Sequence, residues 1–320
     1  MAITASSDIA ALHSKAVVFA CDDVYAPYAL YAADGIVRLN PDRDFDICVC
    51  STETLAPVRS LDALGVRFCR IDTGGAFAAM GTDGRRSEAT YLRLALPGAF
   101  GDDYRRVLYL DSDVHVQGGD FSALMDVPLG GHAIAAVRDN FQWRTPGRRV
   151  DSFAAMGLPA MPYFNAGVML ADVEAFAAQR VREKAFEFAG AHPDGMLHMD
   201  QDMLNGAVMG GWAELSPVWN WQYTWASRMF EAMADANVVH FIGPKKPWKH
   251  DGGEIPLRFR RAYRGFLAEH FPDAPQVGPD GVPPMENAAF LRRSLVKHLV
   301  SAGRMSAYLA RFPDELTVIA

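Results

Sequence analysis

Asp111 and Asp113 stand one residue apart at the end of the apolar run 107–110. In open α/β sheets ligands bind outside the carboxyl ends of the strands, so two acids at such an end face a substrate position. Hard divalent cations such as Mg2+ and Mn2+ take oxygen ligands and share them between protein carboxylates and substrate phosphates. Asp111-Ser112-Asp113 is therefore a candidate clamp for a metal-bound diphosphate. A solvated acidic turn fits the same three residues, and the preceding run alone does not separate the two readings.

Other polar residues recur beside short apolar runs. Asp22 and Tyr25 follow the run 16–21, and Arg93 sits among Tyr91, Leu92, Leu94 and Leu96 in a helix-compatible stretch opened by Ser87. Asn165 and Gly167 precede the run 168–170, and Asp200-Gln201-Asp202 begins a short helix ending near Gly210-Gly211. His240 follows Val238 and Val239, ahead of Gly243, Lys245, Lys246 and Trp248. Singly, each has a structural use. Asp22 and Asp200 suit helix N-caps, Arg93 a snorkelling surface position, Asn165 a turn and His240 a structural histidine.

As an ordered set they say more. Phe19-Ala20-Cys21-Asp22-Asp23-Val24-Tyr25, Tyr91-Leu92-Arg93-Leu94, Asp111-Ser112-Asp113, Tyr163-Phe164-Asn165-Ala166-Gly167, Asp200-Gln201-Asp202 and His240-Phe241-Ile242-Gly243-Pro244-Lys245-Lys246-Pro247-Trp248 occur in this order. The set resembles glycosyltransferase family 8, which includes bacterial lipooligosaccharide galactosyltransferases and glycogenin, over residues 16–250. The resemblance implies a GT-A fold, a UDP-sugar donor, Mn2+ or Mg2+, and hexosyl transfer (galactose or glucose) with retention of configuration, in lipopolysaccharide or other surface-glycan synthesis.

Carried onto this sequence, it implies Asp111, Asp113 and His240 as metal ligands. Ala20, Asp22, Tyr25, Arg93, Ser112, Asn165, Gly167, Gly243 and Lys246 are the implied donor-binding residues, with Lys246 directed at the diphosphate and Lys245 solvated. Asp200 and Gln201 are implied beside the anomeric carbon as the catalytic pair. An amide is a poor nucleophile, so the expected reaction is attack from the face the diphosphate leaves, with the Gln201 carbonyl supporting the sugar. Val24 departs from the asparagine usual at that place and removes a partner for the ribose. A sugar nucleotidyltransferase would open instead with a Gly-rich basic loop, where Cys21-Asp22-Asp23-Val24-Tyr25 stands. A catalytically silent carbohydrate-binding protein of the same fold is the other alternative.

Positioning these residues requires an alternating scaffold. Apolar runs at 16–21, 45–50, 66–71, 107–110, 133–137 and 167–170 alternate with helix-compatible segments at 25–37 and 52–64, which is the pattern of βαβ units. Asp172 is placed to cap a helix over 173–189 that stops at Gly190. The expected fold is α/β: a Rossmann-like, mostly parallel sheet flanked by helices, with a small helical C-terminal extension. The expected division is an N-terminal segment 1–15, a catalytic domain 16–250 and a C-terminal helical region 251–320.

A net charge of -7 argues against a general nucleic-acid binder. The expected partners are a nucleotide-sugar donor and a saccharide or glycolipid acceptor. Trp219, Trp221 and Trp225 fit either an acceptor platform or the core. Cys21, Cys48, Cys50 and Cys69 lie in strand-like runs without metal or redox spacing and read as reduced core residues. With neither a signal-peptide pattern nor a membrane-length apolar run, the expected compartment is the cytoplasm. The segment 287–312 is amphipathic and basic, suited to peripheral contact with an anionic inner-membrane surface, to a solvated helix or to an oligomer contact.

Overall fold

The computed structural model describes residues 3–77, 80, 88–249, 252–281 and 283–320. Ser87, expected to open the stretch around Arg93, and residue 250, the expected domain end, lie outside the described residues.

The apolar runs become strands. In chain order these are β1 (Thr4–Ser6), β2 (Lys15–Ala20), β3 (Asp46–Ser51), β4 (Val66–Asp72), β5 (Arg106–Leu110), β6 (Val114–Val116), β7 (Ile134–Arg138), β8 (Phe164–Asp172), β9 (Ala213–Leu215), β10 (Trp221–Gln222), β11 (Val238–His240) and β12 (Val318–Ile319). Nine form one sheet in the order β1-β4-β3-β2-β5-β8-β7-β9-β12. Strands β2 to β5, β7 and β9 point one way, while β8 and the two edge strands run against them. The sheet is therefore mostly parallel, as expected. A second sheet, β10-β11-β6, is joined to it where β6 follows β5 after three residues.

Both faces of the large sheet are buried, which explains why its strands read as continuous apolar runs. Val17, Phe19, Leu108 and Leu110 face the helices Ala26–Leu39 and Leu257–His270. Ala16, Val18, Val107 and Tyr109 face the helices Leu96–Ala99, Val181–Ala191 and Met199–Val208. All four cysteines are buried and free.

Three expected elements differ. Of the segment 52–64, only Arg59–Leu64 is helical, as a 3-10 turn; Pro57 disfavours helix at the residue before it. Asp172 caps its helix as expected, accepting from Ala175 N at 2.9 Å, but the helix breaks into Val173–Ala178 and Val181–Ala191 at Arg180, whose φ is 55°. Phe176 and Val181 are both core residues, and a spacing of five does not keep two side chains on one face of a straight helix. Gly190 lies inside the second piece. Finally, Asn165 and Gly167 lie within β8 rather than before it.

The C-terminal region adds to the main sheet. After the helix Ala288–Leu309, capped by Asn287, the chain returns as β12 and pairs with β9. Glu214 on β9 binds Arg138 (2.9 and 2.7 Å), Arg311 (3.1 and 2.9 Å) and Tyr308 (3.0 Å). Burial opposes the Glu214 charge, but the two guanidiniums outweigh it and keep its carboxyl below the usual range. Glu214→Gln would leave two guanidiniums facing each other without a counter-charge. A loss of about 3 kcal/mol is expected, read as a lower urea midpoint at unchanged slope.

Candidate active site

The last residue of β5, Leu110, is followed by Asp111, whose N–H donates to the Gly167 carbonyl at 2.8 Å. Gly167 is available because β8 bulges: Ala136 of β7 pairs with Met169, but the next residue, Val137, pairs with Asn165. Residues 166–168 leave that ladder and turn toward β5. On the other side Val114 of β6 pairs with His240, the last residue of β11, and Phe241 N donates to the Asp113 carbonyl at 3.0 Å. Three chain segments far apart in sequence thus bring Asp111, Asp113 and His240 together.

Each carboxylate has one oxygen held closely from outside, and Arg93 Nη1 also reaches the second oxygen of Asp111 at 3.5 Å. Asp111 Oδ1 accepts from Tyr109 OH (2.8 Å) and pairs with Arg93 Nη2 (2.8 Å); Asp113 Oδ2 pairs with Lys246, which also donates to the Phe241 carbonyl at 2.6 Å. The other oxygens, Asp111 Oδ2 and Asp113 Oδ1, lie 3.5 and 3.1 Å from His240 Nε2. Burial works against the Asp113 charge, yet Lys246 and His240 hold its carboxyl well below the usual range.

The state of His240 follows from its other nitrogen. Nδ1 lies 2.9 Å from Asn220 Oδ1, and Asn220 Nδ2 donates to Asn165 Oδ1 at 2.9 Å. The Asn220 oxygen therefore faces the ring and Nδ1 carries a proton, which leaves Nε2 as the nitrogen that would present a lone pair to a cation bound beside Asp111 and Asp113. Three electron-pair donors, all within 4.8 Å of one another, converge on a single point. Two carboxylate oxygens and an imidazole nitrogen at this spacing are a donor set that fits a divalent cation. A methyl group at Gly167 would lie 2.2 Å from His240 Cε1 and 2.7 Å from Asp111 Oδ2, so only glycine lets the set close. Ser112 is buried, and its Oγ has no partner among the described residues.

Beside this centre lies the start of the helix Met199–Val208. Arg93 joins the two halves: it pairs with Asp111 and, through Nε at 2.9 Å, with Asp200, donates to the Ala166 carbonyl at 3.0 Å and lies over the Tyr109 ring. It is buried, not a snorkelling surface residue, because two acids replace its hydration. Gln201 Oε1 accepts from Asn165 Nδ2 and Ala166 N, both at 3.1 Å, and its Nε2 donates to Asp139 at 3.2 Å. Asp200 does not cap the helix. Asp202 holds the entry instead, accepting from Leu197 N, His198 N, Ser152 Oγ and Tyr163 OH at 2.7–2.9 Å.

Asp139, Asn220 and Tyr109 were not singled out in the sequence. Asp139 follows β7 as Asp111 follows β5, so the same strand-end argument would have found it. Burial raises its carboxyl above the usual range despite the bonds from Phe141 N and Gln201.

The remaining expected residues lie along the same edge. Phe19 of β2 pairs with Leu110, which puts Ala20 and Asp22 next to the Asp111 segment. Asp22 Oδ1 accepts from Tyr25 N at 3.0 Å and so shapes the turn into the helix Ala26–Leu39. Tyr25 meets Tyr28 and Trp248 edge-on, and exposed Val24 lies beside it. Gly243 has φ 78° with open space where a Cβ would stand, and Lys245 is an exposed partner of Glu254. Trp219 and Trp221 belong to the core; Trp225, 44% exposed, remains at the surface.

Residues 16–252 match the sequence profile of glycosyl transferase family 8. The chain belongs to this family. Its relatives include General stress protein A of Bacillus subtilis, 30% identical over 200 residues (57% of this chain and 66% of that protein), and the lipopolysaccharide 1,3-galactosyltransferase of Salmonella typhimurium, 32% identical over 179 residues (53% and 51%). The chain thus spans from half to just under two thirds of these curated relatives. Among solved structures, the galactosyltransferase LgtC in complex with donor and acceptor sugar analogs matches with a TM-score of 0.63 at 27% identity, covering 78% of this chain and 95% of that one.

Asn220→Ala removes the group that orients His240. Titration calorimetry with Mn2+ should show affinity roughly 10- to 100-fold weaker, at a melting temperature that confirms the fold. An unchanged affinity would remove His240 from the ligand set.

Proposed function

We propose that this family 8 protein is a retaining hexosyltransferase that moves galactose or glucose from a UDP-sugar to a saccharide or glycolipid acceptor in lipopolysaccharide or other surface-glycan synthesis. The convergence of Asp111, Asp113 and His240 beside Arg93, Asp200 and Gln201 carries this reading. A divalent cation, Mn2+ or Mg2+, held by the first three would supply Lewis-acid stabilisation of the departing diphosphate.

The chain's own residues account for the rest. Lys246 and Arg93 keep positive charge beside the leaving group in a site largely closed to water, where such charge acts most strongly. The acceptor hydroxyl oxygen bonds to the anomeric carbon as the sugar–phosphate bond breaks on the same face, and a diphosphate oxygen takes the hydroxyl proton. Asp202 has both oxygens engaged in holding the helix entry and is not the nucleophile. Gln201 is held at both ends, so its amide dipole meets the sugar in a fixed orientation. Tyr25 and Asp22 are assigned to the base, and Ala20, Ser112, Asn165, Gly167 and Gly243 to the rest of the donor.

Incubation with a panel of UDP-sugars should release UDP from one donor only when Mn2+ or Mg2+ is present, and chelation should abolish it. Metal-independent silence toward every donor would favour a carbohydrate-binding protein. Gln201→Ala should lower turnover roughly 100-fold with little change in donor affinity; unchanged turnover would remove Gln201 from the reaction.

Family 8 acceptors of glycolipid type would bring the enzyme to the cytoplasmic face of the inner membrane. Among the described residues no helix is long and apolar enough to cross a membrane. The helix Ala288–Leu309 exposes Leu295, Val296, Leu299 and Val300 beside Arg292, Arg293 and Arg304, which suits peripheral docking on anionic lipid. Leu299→Ser with Val300→Ser should reduce partition onto phosphatidylglycerol vesicles, measured by co-sedimentation; equal partition would exclude this face.

A further inference from the structure

Gln222 is fully buried on β10, where it pairs in parallel register with His240 of β11. Its side-chain amide bonds to a different segment. Oε1 accepts from the Asn140 main-chain N–H at 2.9 Å and from Asn140 Nδ2 at 3.0 Å, and Nε2 donates to the Arg138 carbonyl at 3.0 Å. A main-chain N–H needs an acceptor and a carbonyl needs a donor, so one orientation of the amide satisfies both and the flipped one satisfies neither. Gln222 thus grips the chain on either side of a single residue, Asp139.

That residue has little freedom left. Asp139 N donates to the Tyr163 carbonyl at 2.9 Å, and the Arg138 carbonyl accepts from Trp143 Nε1 (2.6 Å) as well as from Gln222. The main chain of Gln222 is fixed in turn, its carbonyl accepting from Ser227 Oγ at 2.6 Å. Asp139 Oδ2 is thereby placed to accept from Gln201 Nε2 at 3.2 Å. Holding the NH2 end of Gln201 in this way leaves its carbonyl end to Asn165 Nδ2 and Ala166 N.

The bonds that lead from His240 through Asn220, Asn165 and Gln201 to Asp139 therefore continue past the carboxylate. Through Gln222 they return to β10, two residues from Asn220 and opposite His240. Asn220 and Gln222 share one short segment and serve different ends. Asn220 orients the imidazole, while Gln222 sets the place of Asp139. A misplacement of about 1 Å in a reacting group is enough to lower a rate roughly 100-fold, so the joints of such a circuit bear on turnover.

We infer that Gln222 is a positioning residue for the transfer step, holding Asp139 so that Gln201 presents its amide to the sugar in one orientation. This rests on the transferase reading above. Gln222→Met keeps the length of the side chain and removes both polar ends. With the UDP-sugar that the wild type turns over, kcat should fall roughly tenfold, while donor KM and calorimetric Mn2+ affinity stay within about twofold of wild type. The bonds of the Gln222 side chain run to Arg138 and Asn140, not to a proposed metal or donor residue. A loosened fold would instead weaken Mn2+ binding, donor binding and turnover together; that result, or an unchanged kcat, would overturn the inference.

Because Gln222 acts through Asp139, the same substitution in an Asp139→Ala background should change kcat by less than about twofold. Effects that multiply would overturn it as well. Should Gln222→Met not fold, Asn140→Ala decides the matter at a half-buried position, since it removes one bond to Gln222 and leaves the main-chain N–H. Its kcat should fall about two- to threefold at unchanged donor KM, and an unchanged kcat would count against the role. Metal-dependent UDP release that is equal in wild type and Gln222→Met defeats the positioning role and leaves the transferase reading intact. Wild-type protein that releases UDP from no donor defeats that reading, and this inference with it.

Discussion

Two carboxylates at the end of one strand, mostly out of water, remain ionised only if cations meet them from several sides. Arg93 and Lys246 supply fixed charge chiefly to the outer oxygens of Asp111 and Asp113, and the inner oxygens, with only a long 3.5 Å contact from Arg93 to Asp111 Oδ2, are the ones proposed to take a metal. This requirement determines much of the architecture. Arg93 must come from the segment beneath β5, Lys246 from the loop beyond β11, and His240 from a sheet laid across the strand ends. The large sheet provides the platform, and the small sheet closes the site over it.

The second constraint is polarity among uncharged groups. His240 Nδ1 donates to Asn220, Asn220 to Asn165, Asn165 to Gln201 and Gln201 to Asp139. Every amide in this series donates in the same direction, and the series ends on a group that accepts. The proposed metal ligand and the proposed sugar-supporting amide are therefore members of one hydrogen-bond network, which favours a single arrangement for both.

The sheet was legible because its strands are buried on both faces and read as unbroken apolar runs. The cluster proposed to hold a metal was legible in part: Asp111 and Asp113 by their place after such a run, His240 only through the motif around it. Asn220 and Tyr109 gave no sign, since an asparagine after a tryptophan and a tyrosine inside a strand acquire meaning only when β10 pairs with β11 and Arg93 folds against β5. Asp200 and Asp202 illustrate the limit well. Either could cap a helix by composition, and the choice depended on Ser152 and Tyr163, which come from elsewhere in the chain. The break at Arg180 was hidden for a similar reason, because the core, not local propensity, requires both Phe176 and Val181 to turn inward.

The direction of the amide series is set by main chain rather than by side chains. Ala166 N donates to the Gln201 oxygen and Gly167 N to the Asn165 oxygen, and both N–H groups are free to do so because the β8 bulge takes them out of the ladder with β7. The orientation of His240, the proposed metal ligand, is thus inherited from an irregularity in strand register several bonds away. Loss of a residue from 166–168 would take away the main-chain donors that fix this direction, and with them the orientation of a histidine that had not itself changed.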